Sequence, residues 1–213
     1  MTTRLIFVRH GYSEANHEHI FAGQIDAPLT KTGFLQANCA AEYLKDTHID
    51  CIFSSTLSRA YATGLAIAKK KNLDIIPYPD LCEINGGDWE AVPFVKLAEI
   101  SPQEYDAWIN DIYTCQCPGG ESVKDFYSRI ISCVTKIAEE NPGKCICIAT
   151  HATPIRVILC QALGFDPERL RDVPWPVNAS INIIDYKNGN FSIFEKDITT
   201  HLDGIMTTLP SNI

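Results

Sequence analysis

Short apolar runs and longer amphipathic stretches alternate along the chain. Arg4 to Val8 reads as a buried strand. Thr30 is placed to cap a helix over Lys31 to Lys45, with Phe34, Leu35, Ala37, Ala41 and Leu44 along its apolar side. Asp50 to Ser54 is a short strand. Ser55 or Thr56 then opens a helix that runs to Lys69, Lys70 and Lys71, cations that suit a helix C-terminus. Leu73 to Tyr78 forms another short strand, ended by prolines. Glu121 to Glu140 is a long amphipathic helix stopped by Asn141-Pro142-Gly143. Lys144 to Thr150 is a buried strand, and Thr153 to Leu163 a helix with Pro154 near its first turn and Gly164 after its end. Ile181 to Tyr186 and Phe191 to Lys196 pair as a hairpin around Lys187-Asn188-Gly189-Asn190. The last dozen residues are polar and are expected to be loose.

The stretch from Asp80 to Gly120 breaks this rhythm. It is rich in Gly, Pro, Trp and Tyr, and its helical pieces are short, at Pro93 to Glu99 and Pro102 to Tyr113. We read it as an excursion that covers the site, within a single domain spanning residues 1–213. Strands alternating with helices predict a three-layer α/β/α fold with a mainly parallel sheet; the late hairpin supplies one antiparallel strand. Ligands of such sheets sit outside the carboxyl ends of the strands.

Composition narrows the function classes. The 213 residues suffice for a sizeable core, and 46% apolar with 21% charged residues is ordinary for a globular protein. No apolar run approaches the roughly 18 to 20 residues of a membrane span. Leu5 to Val8 is too short for the core of a secretory signal, so a cytoplasmic protein is expected. A net charge of −8 argues against nucleic acid held by a general electrostatic surface, yet it leaves room for an anion gripped locally by arginines. The nine cysteines lie mostly in apolar stretches and form no CxxC pair. They read as small buried hydrophobes in a reducing compartment, not as metal ligands. His17 and His19 lack a third ligand, and together with His48 and His201 they are expected to face solvent. No P-loop and no G-x-G-x-x-G occurs, and no metal or cofactor is expected.

Two histidines stand apart. His10 follows directly on the first strand and His151 directly on the strand Cys145 to Thr150, so both sit at the rim where a parallel sheet builds its site. Each precedes a small residue, Gly11 or Ala152, that would let a ligand approach backbone N–H groups. If the strands are neighbours, the imidazoles face each other across one pocket. Arg9 and Arg59 lie at the same rim, and a guanidinium there offers planar donors matched to phosphate oxygens.

With these residues in place, the chain resembles the histidine phosphatase superfamily, the branch that includes the cofactor-dependent phosphoglycerate mutases. The resemblance rests on Arg9-His10-Gly11 with Ser13 and Asn16, and on Gly23-Gln24-Ile-Asp-Ala-Pro-Leu-Thr-Lys-Thr-Gly33. It continues through Ser54 to Thr63 around Arg59, Leu81 to Glu90 around Glu83, Pro118 to Ser122, and Thr150 to Arg156. Departures are Tyr12 where an acid is usual, Gln24 for a common Arg, Ala91 after Trp89-Glu90, and Ala152 after the second histidine. Tyr12 and Gln24 are expected to border the leaving group.

The resemblance implies a phosphoglycerate mutase-like fold and a metal-independent phosphomonoester hydrolase acting on a small phosphorylated metabolite. His10 would be the nucleophile and Glu83 the general acid and base. Arg9, Arg59, His151 and Asn16 would hold the phosphoryl group, and Gly23, Gln24 and Ala152 would meet the substrate. Nearby guanidiniums keep an imidazole neutral, as attack on phosphorus requires. Trp89 reads equally well as core or site; Glu90 and Glu121 read as structural, and Ser122 as a helix cap. A phosphomutase and a non-catalytic phospholigand-binding module are the alternatives, and a homodimer is left open. The stretch Ile84-Asn-Gly-Gly-Asp-Trp-Glu90 has the phosphatase-like form.

Overall fold

The computed structural model describes residues 1–208. Its strands are β1 (Thr3–Arg9), β2 (Cys51–Ser54), β3 (Ile75–Pro77), β4 (Cys145–Thr150), β5 (Ile181–Lys187) and β6 (Asn190–Ile198). They form one six-stranded sheet in the order β3-β2-β4-β1-β5-β6. The pairs β1/β4, β2/β4 and β2/β3 are parallel, while β5 runs antiparallel to both β1 and β6. β5 is therefore the strand of opposite direction that the late hairpin predicts. Asn188 and Gly189 both take positive φ (51° and 81°), the backbone that a two-residue hairpin turn needs.

The helices are α1 (Glu14–His17), α2 (Lys31–Tyr43), α3 (Ser58–Lys71), α4 (Phe94–Ile100), α5 (Pro102–Asn110), α6 (Val123–Glu140) and α7 (Ala152–Ala162). Alternate residues of β1 face opposite sides of the sheet. Leu5 and Phe7 join the core under α6 and α7, whereas Ile6 and Val8 join the core under α2 and α3. The result is an α/β/α arrangement. The 80–120 excursion packs with α6 and α7, through Leu81, Ile84, Trp89, Leu97 and Trp108.

Several boundaries differ from the sequence reading, each for a physical reason. α2 turns Gly33, Gln36, Ala37, Ala40 and Ala41 inward and leaves Phe34 and Leu35 half exposed, at 50% and 49%. The helix begins against the loop that follows β1: a Cβ on Gly33 would stand 2.1 Å from the Tyr12 carbonyl oxygen, and one on Gly11 2.3 Å from that of Gly33. Small residues are needed on that face, so the large apolar ones point out. α3 starts later than Thr56, with Leu57 as its cap, because the Ser55 hydroxyl is engaged by His151 and the Leu57 N–H. Of the tail expected to be loose, residues 209–213 lie outside the described residues. Within the described part, Gln36 Nε2 donates to the Ile205 carbonyl at 2.9 Å and to Thr207 Oγ1 at 3.3 Å, which fixes that segment on α2.

All nine cysteines are free; six are buried and three half-buried. Among the described residues, no helix is long and apolar enough to cross a membrane.

Candidate active site

β1 and β4 are adjacent, with Arg9 opposite Thr150, so the next residue on each strand leaves the sheet beside its neighbour. The chain departs from β1 through α2 toward β2 on one side, and from β4 through α7 toward β5 on the other. This is a topological switch point, where the connections diverge and open a crevice at the strand ends. His10 stands in it, and the wholly buried His151 lies behind it, with ring centroids 5.2 Å apart and planes at 62°.

The backbone fixes the tautomer of His10. Its Nδ1 lies 2.7 Å from the Gly11 carbonyl oxygen. A carbonyl only accepts, so Nδ1 carries the proton and Nε2 keeps its lone pair. Burial, then Arg59 and Arg9, push its pKa well below the usual histidine value. Gly11 does not offer its N–H to the crevice: that group donates to Thr63 Oγ1 at 3.1 Å, and the glycine serves the close approach to Gly33. His151 Nε2 is 2.8 Å from Ser55 Oγ, and its buried Nδ1 has no partner. Burial, Arg59 and His10 likewise hold its pKa well below the usual value.

The two guanidiniums are buried, Arg9 at 4% exposure and Arg59 at 1%. Arg9 Nη1 donates to the Pro176 carbonyl at 2.6 Å. Arg59 donates to the Ile25 and Gly23 carbonyls at 2.7 Å each. The Nε–H of both is without a partner, and among the described residues neither arginine has a carboxylate in ion-pair range. Burial lowers the pKa of Arg9 to about 10 and also lowers that of Arg59. Two buried cations without counter-ions are costly, and a bound anion would relieve that cost.

Asn16 sits in the short α1, whose cap residue Ser13 donates its N–H to Asn16 Oδ1 at 3.3 Å. A second donor, Asn178 Nδ2, meets the same oxygen at 3.0 Å. With Oδ1 occupied twice, the amide nitrogen of Asn16 is the group left for the cleft. Asn178 Nδ2 also lies 3.2 Å from the His10 carbonyl. Asn178 is not legible in the sequence, because a lone Asn in a loop carries no periodic or motif signal.

Glu83 projects from the excursion. Its Oε1 accepts from the Ile84 N–H at 2.9 Å and its Oε2 from the Thr153 N–H at 3.2 Å, so the first turn of α7 orients it. The backbone under it is held by Arg129 of α6, another residue the sequence reading missed. Arg129 makes a two-pronged pair with Glu121 at 2.9 Å per bond and donates to the carbonyls of Asp80 (2.8 Å), Cys82 (3.2 Å) and Glu83 (3.4 Å). Glu121 is thus a scaffold residue. So is Glu90, whose Oε1 accepts from the Gln24 and Gly86 N–H groups. Ser122 caps α6 by accepting from the Asp125 N–H, and Trp89 is wholly buried in the core.

Arg9, His10, Asn16, Gly23, Arg59, Glu83 and Ala152 line one cleft. Gly23 takes φ +47°, and a Cβ there would lie 2.3 Å from Glu90 Oε1. Gln24 and Tyr12 are not on the cleft wall: Gln24 Nε2 donates to the Glu83 carbonyl at 3.0 Å, and Tyr12 faces His17. His17, His19 and His48 are exposed. His201 is not solvent-facing as expected: it is half-buried, with Nε2 2.9 Å from the Ala179 carbonyl and its ring against Tyr43. Among the described residues, no group of three or more His, Cys, Asp or Glu could hold a metal ion.

The family whose sequence model matches is the histidine phosphatase superfamily (branch 1), over residues 5–198. Phosphoserine phosphatase 1 of Hydrogenobacter thermophilus is 31% identical over 202 residues, covering 93% of this chain and 94% of that protein. The uncharacterized phosphatase PhoE of Bacillus subtilis is 30% identical over 204 residues, covering 96% and 99%. Among solved structures, Bacillus stearothermophilus YhfR superposes with a TM-score of 0.89 over 94% of this chain and 99% of that one, at 24% identity. That likeness bears on the fold alone.

Proposed function

Because the chain belongs to the histidine phosphatase superfamily (branch 1), we propose that it hydrolyses a small phosphate monoester through a phosphohistidine on His10. The observation that carries this reading is the pairing of a neutral imidazole, its Nε2 freed by the Nδ1 bond to Gly11, with two buried guanidiniums that lack counter-ions.

In the first half-reaction the lone pair of His10 Nε2 attacks phosphorus and the bond to the ester oxygen breaks. Glu83, protonated, gives its proton to that oxygen, so the product leaves as an alcohol. Arg9, Arg59, His151 and the Asn16 amide hold the nonbridging oxygens, and their preset positions stabilise the charge of the transition state. In the second half-reaction the Glu83 carboxylate takes a proton from water. The resulting oxygen attacks phosphorus, the P–N bond breaks, and inorganic phosphate leaves with His10 restored. Relatives named as phosphoserine phosphatases support a small phosphorylated metabolite as substrate. The 80–120 excursion would act as the cover of a single catalytic domain.

The test is a quenched reaction with a phosphate ester labelled on phosphorus. A label stable in base and labile in acid, present in the wild type and lost in His10→Ala, is expected. No label and no released phosphate would leave a binding module. A rearranged monophosphate in place of free phosphate would mark a mutase.

A further inference from the structure

Resting on that reading of His10, we propose that the site selects esters whose leaving group is an uncharged, apolar alcohol or phenol, and disfavours esters that carry a carboxylate beside the phosphate. The cleft has two unlike ends. The charged side chains lining it are Arg9, Arg59 and Glu83, and all three are assigned to the phosphoryl group and the proton transfer. The remainder of the wall is formed chiefly by Ile20, Phe21, Ile84, Phe94, Trp108 and Trp175.

This apolar wall is braced. The Phe21 ring lies 5.3 Å from Trp108 and 5.7 Å from Phe94, and Trp108 lies 6.1 Å from Trp175. Gly86 makes room for Phe21, because a Cβ there would stand 2.5 Å from its ring. Arg156 is the nearby cation, but it lies behind the wall with Nε and Nη2 tied to backbone carbonyls and only its buried Nη1 without a partner. Its guanidinium covers the Trp175 ring at 3.9 Å, and it donates to the Val173 and Leu170 carbonyls at 2.9 and 2.8 Å. Arg156 is not on the cleft surface. Thr153 is the further polar residue on the wall, and Gln24, off the wall, is turned to the Glu83 carbonyl.

A carboxylate on the leaving group would therefore lose water and find no cation on the wall beyond those assigned to the phosphoryl group, which disfavours it. An apolar or aromatic leaving group loses nothing by leaving water and meets rings suited to edge and face contact. The wall thus sets specificity by what it fails to offer as much as by what it touches.

The experiment compares kcat/KM of the wild type for 2-phenylethyl phosphate, O-phosphoserine and 3-phosphoglycerate. The phenylethyl ester is expected to lead by about tenfold or more, although its alcohol is the poorer leaving group. Phe94→Arg, at a half-exposed wall position, is expected to shift the ratio about tenfold toward the carboxylate esters, with thermal unfolding as the check on its fold. A carboxylate ester processed by the wild type as well as the phenylethyl ester overturns this inference and leaves the phosphohistidine chemistry standing. No turnover and no labelled His10 with any ester removes the underlying reading, and the inference with it.

Discussion

The end of the cleft proposed to hold the phosphoryl group and the end proposed to hold the leaving group are built on different parts of the fold. Arg9, His10 and His151 sit at or just past the ends of β1 and β4, on backbone locked into the sheet, and Arg59 sits in the first turn of α3. Phe94, Trp108 and Trp175 come from two short helices and a loop that add no strand to the sheet. The first region needs atoms fixed to a fraction of an ångström, since an oxyanion is stabilised only by donors already in place. The second needs only shape and the absence of charge, and packed rings supply both. Damage to the first should slow every substrate alike, whereas damage to the second should re-rank them.

The sharpest test of that division is Arg59→Met. Loss of one preset donor lowers kcat by about 10² to 10³-fold, and by a similar factor for each ester in a panel. A loss confined to one ester class would dissolve the distinction between the two ends. Glu83→Gln comes next. In kcat/KM, which reports formation of the phosphohistidine, it should cost alkyl phosphates about 10² to 10⁴-fold while barely touching p-nitrophenyl phosphate, whose leaving group needs no proton; equal losses in kcat/KM would remove Glu83 as the acid.

Arg129→Met touches neither end. It frees the backbone beneath Glu83 and should reproduce the leaving-group dependence of Glu83→Gln at smaller amplitude, about tenfold. Kinetics of a series of substituted phenyl phosphates would show this as a steeper slope against leaving-group acidity. A uniform loss would mark Arg129 as a purely structural residue.

The smallest effect is on acid stability. His10 and His151 have folded pKa values well below normal. Below about pH 6.5 the unfolded chain takes up protons at both rings while the folded chain does not, so stability falls as pH falls. Each imidazole contributes a slope of up to about 1.4 kcal/mol per pH unit. Urea denaturation between pH 7 and pH 5 should show His10→Ala less acid-sensitive than wild type by about that slope.

The phosphoryl end was legible in the sequence because each of its elements leaves a local mark. An apolar run that ends abruptly in Arg9-His10, and another that ends in His151, are visible without any contact information. The aromatic wall was not legible. Phe21 and Trp175 are far apart in the chain, and Trp108 follows a helical pattern that any core residue would share. Arg129 reads as a solvated helix residue until the Asp80 to Glu83 backbone is laid over it. The misplaced face of α2 has the same origin. Phe34 and Leu35 look like core by hydrophobicity alone, and only the contact between Gly11 and Gly33 shows that the inward face must be small.

The segment from Pro176 to Ser180 fastens the end of β1 and His10. The Pro176 carbonyl takes the Arg9 side chain, Ser180 takes the Arg9 N–H, and Asn178 and Ala179 both donate to the carbonyl of His10. Asn178 and His10 stand 168 positions apart in the chain, so the seating of that ring is a long-range contact that forms only with the closed sheet.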